Sequence, residues 1–538
     1  MKNHMHKLVA ALWLLACYGE ARAEAVPEIR IIPKPASLRQ AAGFFTLAAG
    51  TVVGITPATP EMQRLGQYLT ELVAPATGFK LAVKSAAASK ANGIVLKIDA
   101  SRKDLGDEGY SLTATSEAIT IAAAAPVGVF HGIQTLRQLL PVQIESRQAV
   151  EGIAWKVPCV AIDDQPRFTW RGYLIDPARN FRSKQELKRS IDLLALHKLN
   201  ILQLHLTDDQ GWRIEIKRYP KLVETGARLP DYSGRTGDGW FYSQEDIREL
   251  VRYAADRYVT LVPEIEMPGH SGAAIASYPE LACGGKAPGG WSAPLCVSQE
   301  ATFEFVTHVL DEVIALFPSR YIHIGADEVP PGPWRACATC QPRMQKLACQ
   351  ALPAGVATFR VQVPSGQGLP FHQDIGHLQG EFVRRIDQYL TKKDRRMVGW
   401  DEILEGGLEI GSHSVVMAWR GASAVAGTTS RGQDVVVTLH PDYYLDNDTP
   451  LQRTYDYEPV PNDLPADQAK QVLGVQGNMW GETTSSIQKV DARTFPRLCA
   501  LAETGWTRKD GRNFVDFSAR LASLRQRLEL LGVAGGKP

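Results

Sequence analysis

The stretch ILQLHLTDD (201–209) shows the pattern from which the fold can be predicted. A short apolar run, 201–206, leads directly into two carboxylates, Asp208 and Asp209, and amphipathic segments lie on both sides of it. Those segments begin at Ser183-x-x-Glu186 and Ser243-x-x-Asp246, which both have the form of a helix-capping box. A buried strand between two helices is the repeating unit of a parallel α/β fold.

Seven more apolar runs follow the same pattern. The eight runs are 172–175, 201–206, 260–265, 321–325, 397–399, 415–418, 435–439 and 472–475. Eight strands that alternate with helices over about 350 residues predict a TIM (β/α)8 barrel with insertions. We therefore assign residues 166–538 to a barrel domain that ends in a C-terminal helix.

The residues before the barrel predict a smaller α+β accessory domain, 24–165. Segments 59–73 and 126–140 have helical spacing, and segments 93–99 and 110–123 have the composition of strands. This region lacks a cluster of catalytic residue types, so we expect it to serve packing and stability.

The N-terminus has the layout of an export signal, 1–23. Lys2 and Lys7 precede an apolar run, 8–18, and Ala21-Arg22-Ala23 supplies the small residues of a cleavage site. The run LLAC (14–17) also resembles a lipobox with Cys17 as the lipid-bearing residue, so cleavage after Ala23 and lipidation at Cys17 both stay open. Either alternative predicts a periplasmic or secreted protein, or an outer-membrane lipoprotein if Cys17 is lipidated. Membrane association is expected only in that last case.

The charge balance excludes a polyanion-binding protein. Lys and Arg number 59 against 58 Asp and Glu, which gives a formal net charge of +1. Nucleic-acid binding needs concentrated positive charge, so we expect no nucleic-acid partner. The oligomeric state cannot be predicted from these features.

Seven cysteines lie beyond the export signal, an odd number. Cys283 and Cys296 bracket a Gly/Pro-rich loop and are the predicted disulfide pair. Cys337-x-x-Cys340 with Cys349 resembles a zinc motif, but three thiols lack a fourth ligand, and we predict no metal.

Polar and aromatic residues cluster just after the apolar runs, where a barrel places its active site. They are Asp176, Arg179, His205, Asp208, Asp209, Glu264, Glu266, His270, Asp327, Glu328, Trp400, Asp401, Glu402, Trp419, Arg420, Tyr443, Tyr444, Asp446, Trp480 and Glu482. Carboxylates and Arg bind sugar hydroxyls, and indole faces pack on the apolar face of a pyranose. This composition predicts a glycosidase, which needs one carboxylic acid to protonate the leaving oxygen.

The adjacent pair Asp327-Glu328 is informative because neighbouring residues on a regular strand point to opposite faces. Both can reach the barrel mouth only at the end of the strand, where the backbone turns. They are poorly placed for an acid and a nucleophile that flank the bond about 5 Å apart. We infer that one of the two does something other than attack carbon.

These residues lie in motifs that resemble glycoside hydrolase family 20, the bacterial exo-acting β-N-acetylhexosaminidases. The matching stretches are RGYLIDPARNF (171–181), HKLNILQLHLTDDQGWRIEI (197–216), VPEIEMPGH (262–270), HIGADEV (323–329), GWDEI (399–403), MAWRG (417–421), YYLD (443–446) and NMWGE (478–482). Segment 108–140 is similar to the accessory domain of that family.

The resemblance implies a retaining exo-glycosidase that removes terminal β-linked N-acetylhexosamine without a cofactor. Its substrate would be an oligosaccharide or glycoconjugate that ends in this sugar, and the resemblance does not identify the natural one. Glu328 would be the general acid/base, and Asp327 would hold the 2-acetamido group as its carbonyl oxygen attacks the anomeric carbon. The substrate-binding residues that the resemblance implies are Arg179, Asp208, His270, Trp400, Trp419, Tyr444, Asp446, Trp480 and Glu482.

Two rival functions remain, a metal-dependent deacetylase or hydrolase and a non-catalytic sugar-binding barrel. Metal ligands could come from His205, Asp208, His270 and His323, but their spacing is not compact and the tryptophans would be unexplained. A lectin would have no need of the proton donor Glu328. After the catalytic pair, segment 330–371 is rich in turn formers, and we expect either a loop over the mouth or an insertion without function.

Overall fold

The computed structural model describes residues 28–86, 92–237, 239–285, 292–350, 373–405 and 410–536. The predicted export signal, with Cys17, lies outside these residues, and so do residues 351–371 of the predicted loop. The earlier part of that segment, which we expected to be a loop, forms two helices, Pro331–Ala336 and Cys340–Gln350. Among the described helices, none combines the length and the apolar composition needed to cross a membrane.

The N-terminal domain is a seven-stranded mixed sheet with two helices packed on it. Its strands are β1 Ser37–Thr46, β2 Val52–Thr56, β3 Ala82–Ser85, β4 Gly93–Ile98, β5 Tyr110–Ala114, β6 Ala118–Ala123 and β7 Lys156–Asp164, in the order β1-β7-β5-β6-β4-β2-β3. The predicted helices are present as Pro60–Thr77 and Pro126–Leu139. Sequence patterning found β4, β5 and β6 but not β1, β2, β3 or β7.

The second domain is a closed barrel of eight parallel strands, as predicted. Its barrel strands are β8 Trp170–Ile175, β9 Ile201–His205, β12 Thr260–Glu264, β13 Tyr321–His323, β14 Arg396–Trp400, β15 Val415–Ala418, β16 Asp434–Val437 and β17 Val472–Met479. Two further strands, β10 Thr207–Asp208 and β11 Gly211–Trp212, form a short antiparallel ribbon after β9. Each barrel strand overlaps one predicted apolar run. The predicted fold class, a TIM barrel preceded by a smaller domain, is therefore confirmed.

Helices connect the barrel strands and surround the barrel. They are Lys184–Leu196, Lys221–Glu224, Gln244–Ala255, Gly272–Ser277, Glu300–Leu316, Pro331–Ala336, Cys340–Gln350, Gln373–Lys392, Ala422–Thr429, Leu451–Asp456, Ala466–Ala469, Ile487–Thr494, Arg497–Trp506 and Phe514–Leu530. The capping boxes at Ser183 and Ser243 are both formed, so the predicted starts of these two helices are correct.

A buried ion pair joins the two domains. Lys198, which precedes β9, donates to Asp164 Oδ2 at 2.9 Å and to the Tyr110 hydroxyl at 2.8 Å. Trp506 Nε1 donates to the other Asp164 oxygen at 2.9 Å. Because a buried charge is costly unless it is paired, these contacts fix the domain interface in one arrangement.

Candidate active site

The backbone turns sharply after β13 and brings the two adjacent carboxylates to one place. Ala326 and Glu328 have φ values of 72° and 49°, in the left-handed region that non-glycine residues rarely adopt. As a result, Asp327 Oδ2 and Glu328 Oε2 lie 3.7 Å and 3.6 Å from the same atom, Nε2 of His270. The turn that the sequence required at the end of this strand is therefore present.

His270 connects this pair to a buried row of charges. Its Nδ1 lies 3.4 Å from Asp208 Oδ1, and Arg179 lies 2.8 Å from Asp208 Oδ2. Burial alone would raise the pKa of Asp208, but Arg179 and His270 hold it well below its usual range. Arg179 also pairs with Asp176 at 3.0 Å and with Glu482 at 3.3 Å, so one guanidinium holds three carboxylates at the barrel mouth.

A second row of contacts runs from Asp208 into the barrel. His205 Nε2 lies 2.9 Å from Asp208 and its Nδ1 lies 2.9 Å from Glu264. Burial would lower the pKa of His205, but the neighbouring carboxylates, Glu264 first, raise it to about 10. His205 is therefore an imidazolium at neutral pH, and the carboxylates on both of its sides are ionised partners.

Glu264 is the centre of this buried network. It accepts from Gln203 Nε2 at 2.7 Å and from Trp400 Nε1 at 3.0 Å, and His323 Nδ1 lies 3.0 Å away. The Trp400 indole is thereby fixed in one orientation. Glu264 was among the predicted site residues because it lies at the end of β12, but its contacts with Trp400 and His323 across the barrel were not predicted.

Four aromatic rings form the wall of the mouth. The ring centroids of Trp400 and Trp480 are 5.7 Å apart, those of Tyr444 and Trp480 are 6.3 Å apart, and Trp419 stacks on Tyr444 at 6.2 Å. We call Trp400, Trp419, Tyr444 and Trp480 the aromatic box. Arg179 lies 4.9 Å from the centre of the Trp480 ring, which joins the box to the charged row.

Asp401 and Glu402 hold the Trp419 side of the box. Trp419 Nε1 donates to Glu402 at 3.0 Å, and its backbone N–H donates to Asp401 at 3.0 Å. Arg420 forms an ion pair with Asp401. Both carboxylates were among the predicted site residues, and the structure shows that they position Trp419 at the end of β15.

Several buried carboxylate oxygens at the mouth are left for a ligand. Asp327 Oδ1, Asp446 Oδ1 and Glu482 Oε2 accept no hydrogen bond from any described residue. Burial, opposed by His270 and reinforced by Glu328, raises the pKa of Asp327 to about 6. Burial and Glu482 raise the pKa of Asp446 to about 6 as well. Unpaired buried acceptors are costly, so these three oxygens are suited to N–H and O–H groups of a bound sugar.

Glu266 lies beneath the catalytic pair. Neither of its carboxyl oxygens accepts a hydrogen bond from the described part of the chain. Burial, Asp327 and Glu264 raise the pKa of Glu266 well above its usual range. A side chain at Gly325 would place Cβ 1.8 Å from Glu266 Oε2, which explains why glycine precedes the catalytic turn.

Three residues of the segment 209–213 make contacts within the fold. Asp209 accepts the backbone N–H groups of Gly272, Ser292 and Ala293 and so ties two loops together. Trp212 and Arg213 are buried and donate to backbone carbonyls, among them Ile214 and Ala178. These contacts are structural.

Three groups of histidines and carboxylates at the mouth are close enough to hold a metal ion, each with one ligand atom per residue within 4.8 Å of the others. They are His205 with Glu264 and Glu266, His270 with Asp208 and Asp209, and His270 with Asp327 and Glu328. In the first group both nitrogens of His205 already face carboxylates, Asp208 and Glu264. The same histidines and carboxylates are equally suited to a hydrogen-bonded network that holds protons.

The predicted disulfide between Cys283 and Cys296 is not formed, and both residues carry free thiols. The Cys296 sulfur instead lies 3.7 Å from the sulfurs of Cys337 and Cys340. Cys283 and Cys296 are close in the sequence, whereas the fold also brings the distant Cys337-x-x-Cys340 turn against them.

Comparison with known proteins explains why these residues converge. Residues 168–509 match the sequence model of the glycosyl hydrolase family 20 catalytic domain, and residues 28–165 match that of domain 2 of the same family. The chain belongs to glycosyl hydrolase family 20. The predicted family and the predicted enzyme class, a β-hexosaminidase of this family, are confirmed.

Relatives of this family-20 chain align over almost its whole length. A β-hexosaminidase of Porphyromonas gingivalis is 36% identical over 97% of the chain, which spans 66% of that protein, just under two thirds. The GH20 β-N-acetylhexosaminidase of Streptomyces coelicolor A3(2) superposes with a TM-score of 0.80 at 34% identity, covering 95% of this chain and 98% of the other. The GH20 exo β-N-acetylglucosaminidase of Vibrio harveyi was solved in complex with N-acetylglucosamine. It superposes with a TM-score of 0.81 at 32% identity, and the alignment covers 95% of this chain and 78% of the other.

Proposed function

We propose that this family-20 hydrolase removes a terminal, non-reducing, β-linked N-acetylhexosamine by substrate-assisted catalysis with retention of configuration. The observation that carries the proposal is the placement of Asp327 and Glu328 on one side of His270, 3.7 Å and 3.6 Å from its Nε2. Two carboxylates on one side of a site do not flank the scissile bond as an acid and a protein nucleophile do. A nucleophile supplied by the substrate fits this geometry.

In the first step Glu328 donates its proton to the glycosidic oxygen as the C1–O bond breaks. The 2-acetamido carbonyl oxygen of the substrate forms the new bond to C1, which gives a cyclic oxazolinium ion. In the second step Glu328 takes a proton from water, and the water oxygen attacks C1 and reopens the ring. Two displacements at C1 restore the β configuration.

Asp327 is suited to hold the acetamido N–H during the first step. Its Oδ1 is buried and accepts no hydrogen bond from the described residues, so the amide hydrogen is a fitting partner. Since its raised pKa of about 6 is still below neutral pH, Asp327 is mainly an anion there and can stabilise the positive charge of the oxazolinium ion.

The aromatic box accounts for recognition of the acetamido group. Trp400, Trp419 and Trp480 offer apolar faces to its methyl group, and the Tyr444 hydroxyl can donate to its carbonyl oxygen. Arg179, with the open oxygens of Asp446 and Glu482, binds the ring hydroxyls. GlcNAc and GalNAc differ only at the 4-hydroxyl, and we propose GlcNAc as the main substrate, in line with the sugar bound to the Vibrio harveyi relative.

We further propose that the protein is exported, on the basis of Lys2, Lys7 and the apolar run 8–18, with the lipobox-like 14–17 inside this run and the small residues 21–23 after it. Mass spectrometry of the mature N-terminus in the native host distinguishes a lipidated Cys17 from a free Glu24. A cytosolic protein that retains Met1 would contradict export.

The activity is tested by release of nitrophenol from the β-N-acetylglucosaminide beside the plain β-glucoside, each with and without EDTA. We expect cleavage of the acetamido sugar alone. Equal cleavage of both sugars would indicate a protein nucleophile, and immediate loss of activity with EDTA that zinc restores would favour the metal-dependent rival. If the protein cleaves neither these substrates nor larger N-acetylated oligosaccharides but still binds them, the non-catalytic barrel is the better account.

A further inference from the structure

Four cysteine sulfurs from two separate loops meet in the large hydrophobic core of the barrel domain, away from the aromatic box. Cys283, Cys296, Cys337 and Cys340 place their Sγ atoms within 4.8 Å of one another. The last three residues are buried, and all four thiols are free. Nothing in the proposed glycosidase mechanism uses them.

We propose that these four cysteines bind one Zn²⁺ ion as a structural site. The sulfur–sulfur distances are 3.8 Å for Cys283–Cys340, 3.7 Å for Cys296–Cys337 and 3.7 Å for Cys296–Cys340. Four sulfurs at about 2.3 Å from a tetrahedral zinc ion are separated by about 3.8 Å along each edge. These three distances match the edges of a tetrahedral zinc–thiolate site, and the remaining sulfur pairs lie within 4.8 Å of one another.

The chemistry of the donor set selects zinc. Four thiolates with Cys-x-x-Cys spacing in one pair form the closed, tetrahedral set of structural zinc sites, which leaves no position for a substrate. A disulfide needs sulfurs about 2.0 Å apart and joins them two at a time, whereas one ion uses all four. Thr339 Oγ1 lies 3.1 Å from Cys337 Sγ and can donate a hydrogen bond that supports the thiolate.

The ion would connect the segment after β12, which carries His270, to the segment after β13, which carries Asp327 and Glu328. Cys283 and Cys296 lie on the loop after β12, and Cys337 and Cys340 follow β13. On the first loop, Ser292 accepts the backbone N–H of His270 at 3.2 Å and donates to the backbone carbonyl of Glu328 at 3.0 Å. Trp334 Nε1, from the helix Pro331–Ala336 after β13, donates to Leu295 O at 2.8 Å. The bound ion would therefore position Ser292, and through it the backbone of the acid residue.

The first test is the metal content of protein purified without an affinity metal. We expect about one zinc per chain by mass spectrometry and, after denaturation in an alkylating agent without reductant, four alkylated cysteines at these positions. Disulfide-linked peptides among the four would overturn the proposal. So would reduced, metal-free protein that takes up neither Zn²⁺ nor Co²⁺.

A matched pair of variants locates the ion. Cys340→Ala should lower the zinc content about tenfold or more and lower Tm, whereas Cys159→Ala, a buried cysteine of the N-terminal sheet, should retain the metal. If Cys340→Ala does not fold, the Co²⁺-substituted wild type decides: tetrahedral thiolate ligation gives intense thiolate-to-cobalt absorption, and its absence contradicts the site.

With a structural zinc ion, a chelator can lower activity even though no metal takes part in catalysis. Slow loss of the structural ion should lower Tm and activity together and expose four titratable thiols. Loss of a catalytic ion would abolish activity while Tm and the thiol count stay unchanged. The zinc proposal and the proposed glycosidase mechanism can therefore fail independently.

Discussion

His270 Nε2 lies 3.6 Å from Glu328 Oε2, while Nδ1 of the same ring faces Asp208 at 3.4 Å. Burial alone would lower the pKa of His270, but Asp208 and the other carboxylates around the ring raise it well above its usual value. In the proposed mechanism this imidazolium would stabilise the carboxylate that forms as Glu328 gives up its proton. We therefore propose that His270 is a positioning residue for the acid step.

Replacing His270 with asparagine should lower kcat by about 10- to 100-fold with a smaller effect on KM. The change removes the positive charge beside Glu328 and keeps a polar side chain. The measurement is kcat and KM over the pH range in which the folded protein is stable. A shifted pH profile is expected in addition to the lower rate, which a purely structural role would not produce.

His308→Asn is the matched control, because His308 lies on an outer helix and contacts Tyr219. It should leave both kinetic constants and the pH profile unchanged. An unaltered rate for His270→Asn, or an equal loss in both variants, would contradict the role assigned to His270.

Glu328→Gln should lose about 100-fold or more in kcat/KM on an oligosaccharide, whose leaving group needs protonation. The loss should be much smaller on a nitrophenyl glycoside, whose leaving group departs without a proton. Measuring both substrates on one preparation makes the nitrophenyl reaction the internal control. Equal losses on the two substrates would show that Glu328 acts on something other than the leaving oxygen.

Asp327→Asn should lower activity and raise stability. The pKa of Asp327 is raised from 3.8 to about 6, so the folded state binds this proton more tightly than the unfolded state. The stability that this proton confers is present below pH 3.8 and is lost as the pH rises through about 6, and holding the anion at neutral pH costs roughly 2–3 kcal/mol. Tm of the variant should exceed that of wild type at about pH 7.5, and the gain should shrink towards about pH 4.

Asp456→Asn, an exposed helix position, controls for loss of one negative charge and should shift Tm little at either pH. A gain for Asp327→Asn that does not depend on pH would contradict the explanation from ionisation. In wild type, kcat/KM should fall as the pH drops below about 6, because protonated Asp327 cannot stabilise the cation.

Trp400→Phe should weaken binding of an N-acetylglucosamine thiazoline inhibitor and destabilise the protein by about 1–3 kcal/mol. The change leaves Glu264 without the 3.0 Å hydrogen bond from Nε1. Trp170→Phe is the control, because Trp170 packs in the same cluster but donates to neutral Gln476 at 3.1 Å. Unaltered inhibitor affinity for Trp400→Phe, or an equal loss for both, would count against the aromatic box.

The barrel could be predicted from sequence because its strands are buried on both faces. Such strands are unbroken apolar runs with polar residues directly after them, and run 415–418 coincides with β15 residue for residue. The strands of the N-terminal sheet were harder to predict from sequence. Strand β1 is largely exposed, with the pattern SLRQAAGFFT, and lacks an apolar run that would distinguish it from a loop.

The residues that support the site were harder to predict than those that line it. Glu264 and Glu402 hold Trp400 and Trp419 through hydrogen bonds across the barrel, and such pairs depend on strand register and closure. The four-cysteine cluster is similar, since 41 positions separate Cys296 from Cys337. Spacing along the chain favoured a local disulfide, and only the folded loops bring the Cys-x-x-Cys turn to Cys296.

The central claim, that the substrate's own acetamido oxygen attacks C1, is tested most directly with a series of nitrophenyl glucosaminides. The N-acyl group is acetyl, fluoroacetyl, difluoroacetyl or trifluoroacetyl, and each fluorine withdraws electron density from the carbonyl oxygen. We predict that kcat/KM falls stepwise along the series, by about 100-fold or more in total. A rate that stays constant along the series would contradict the account.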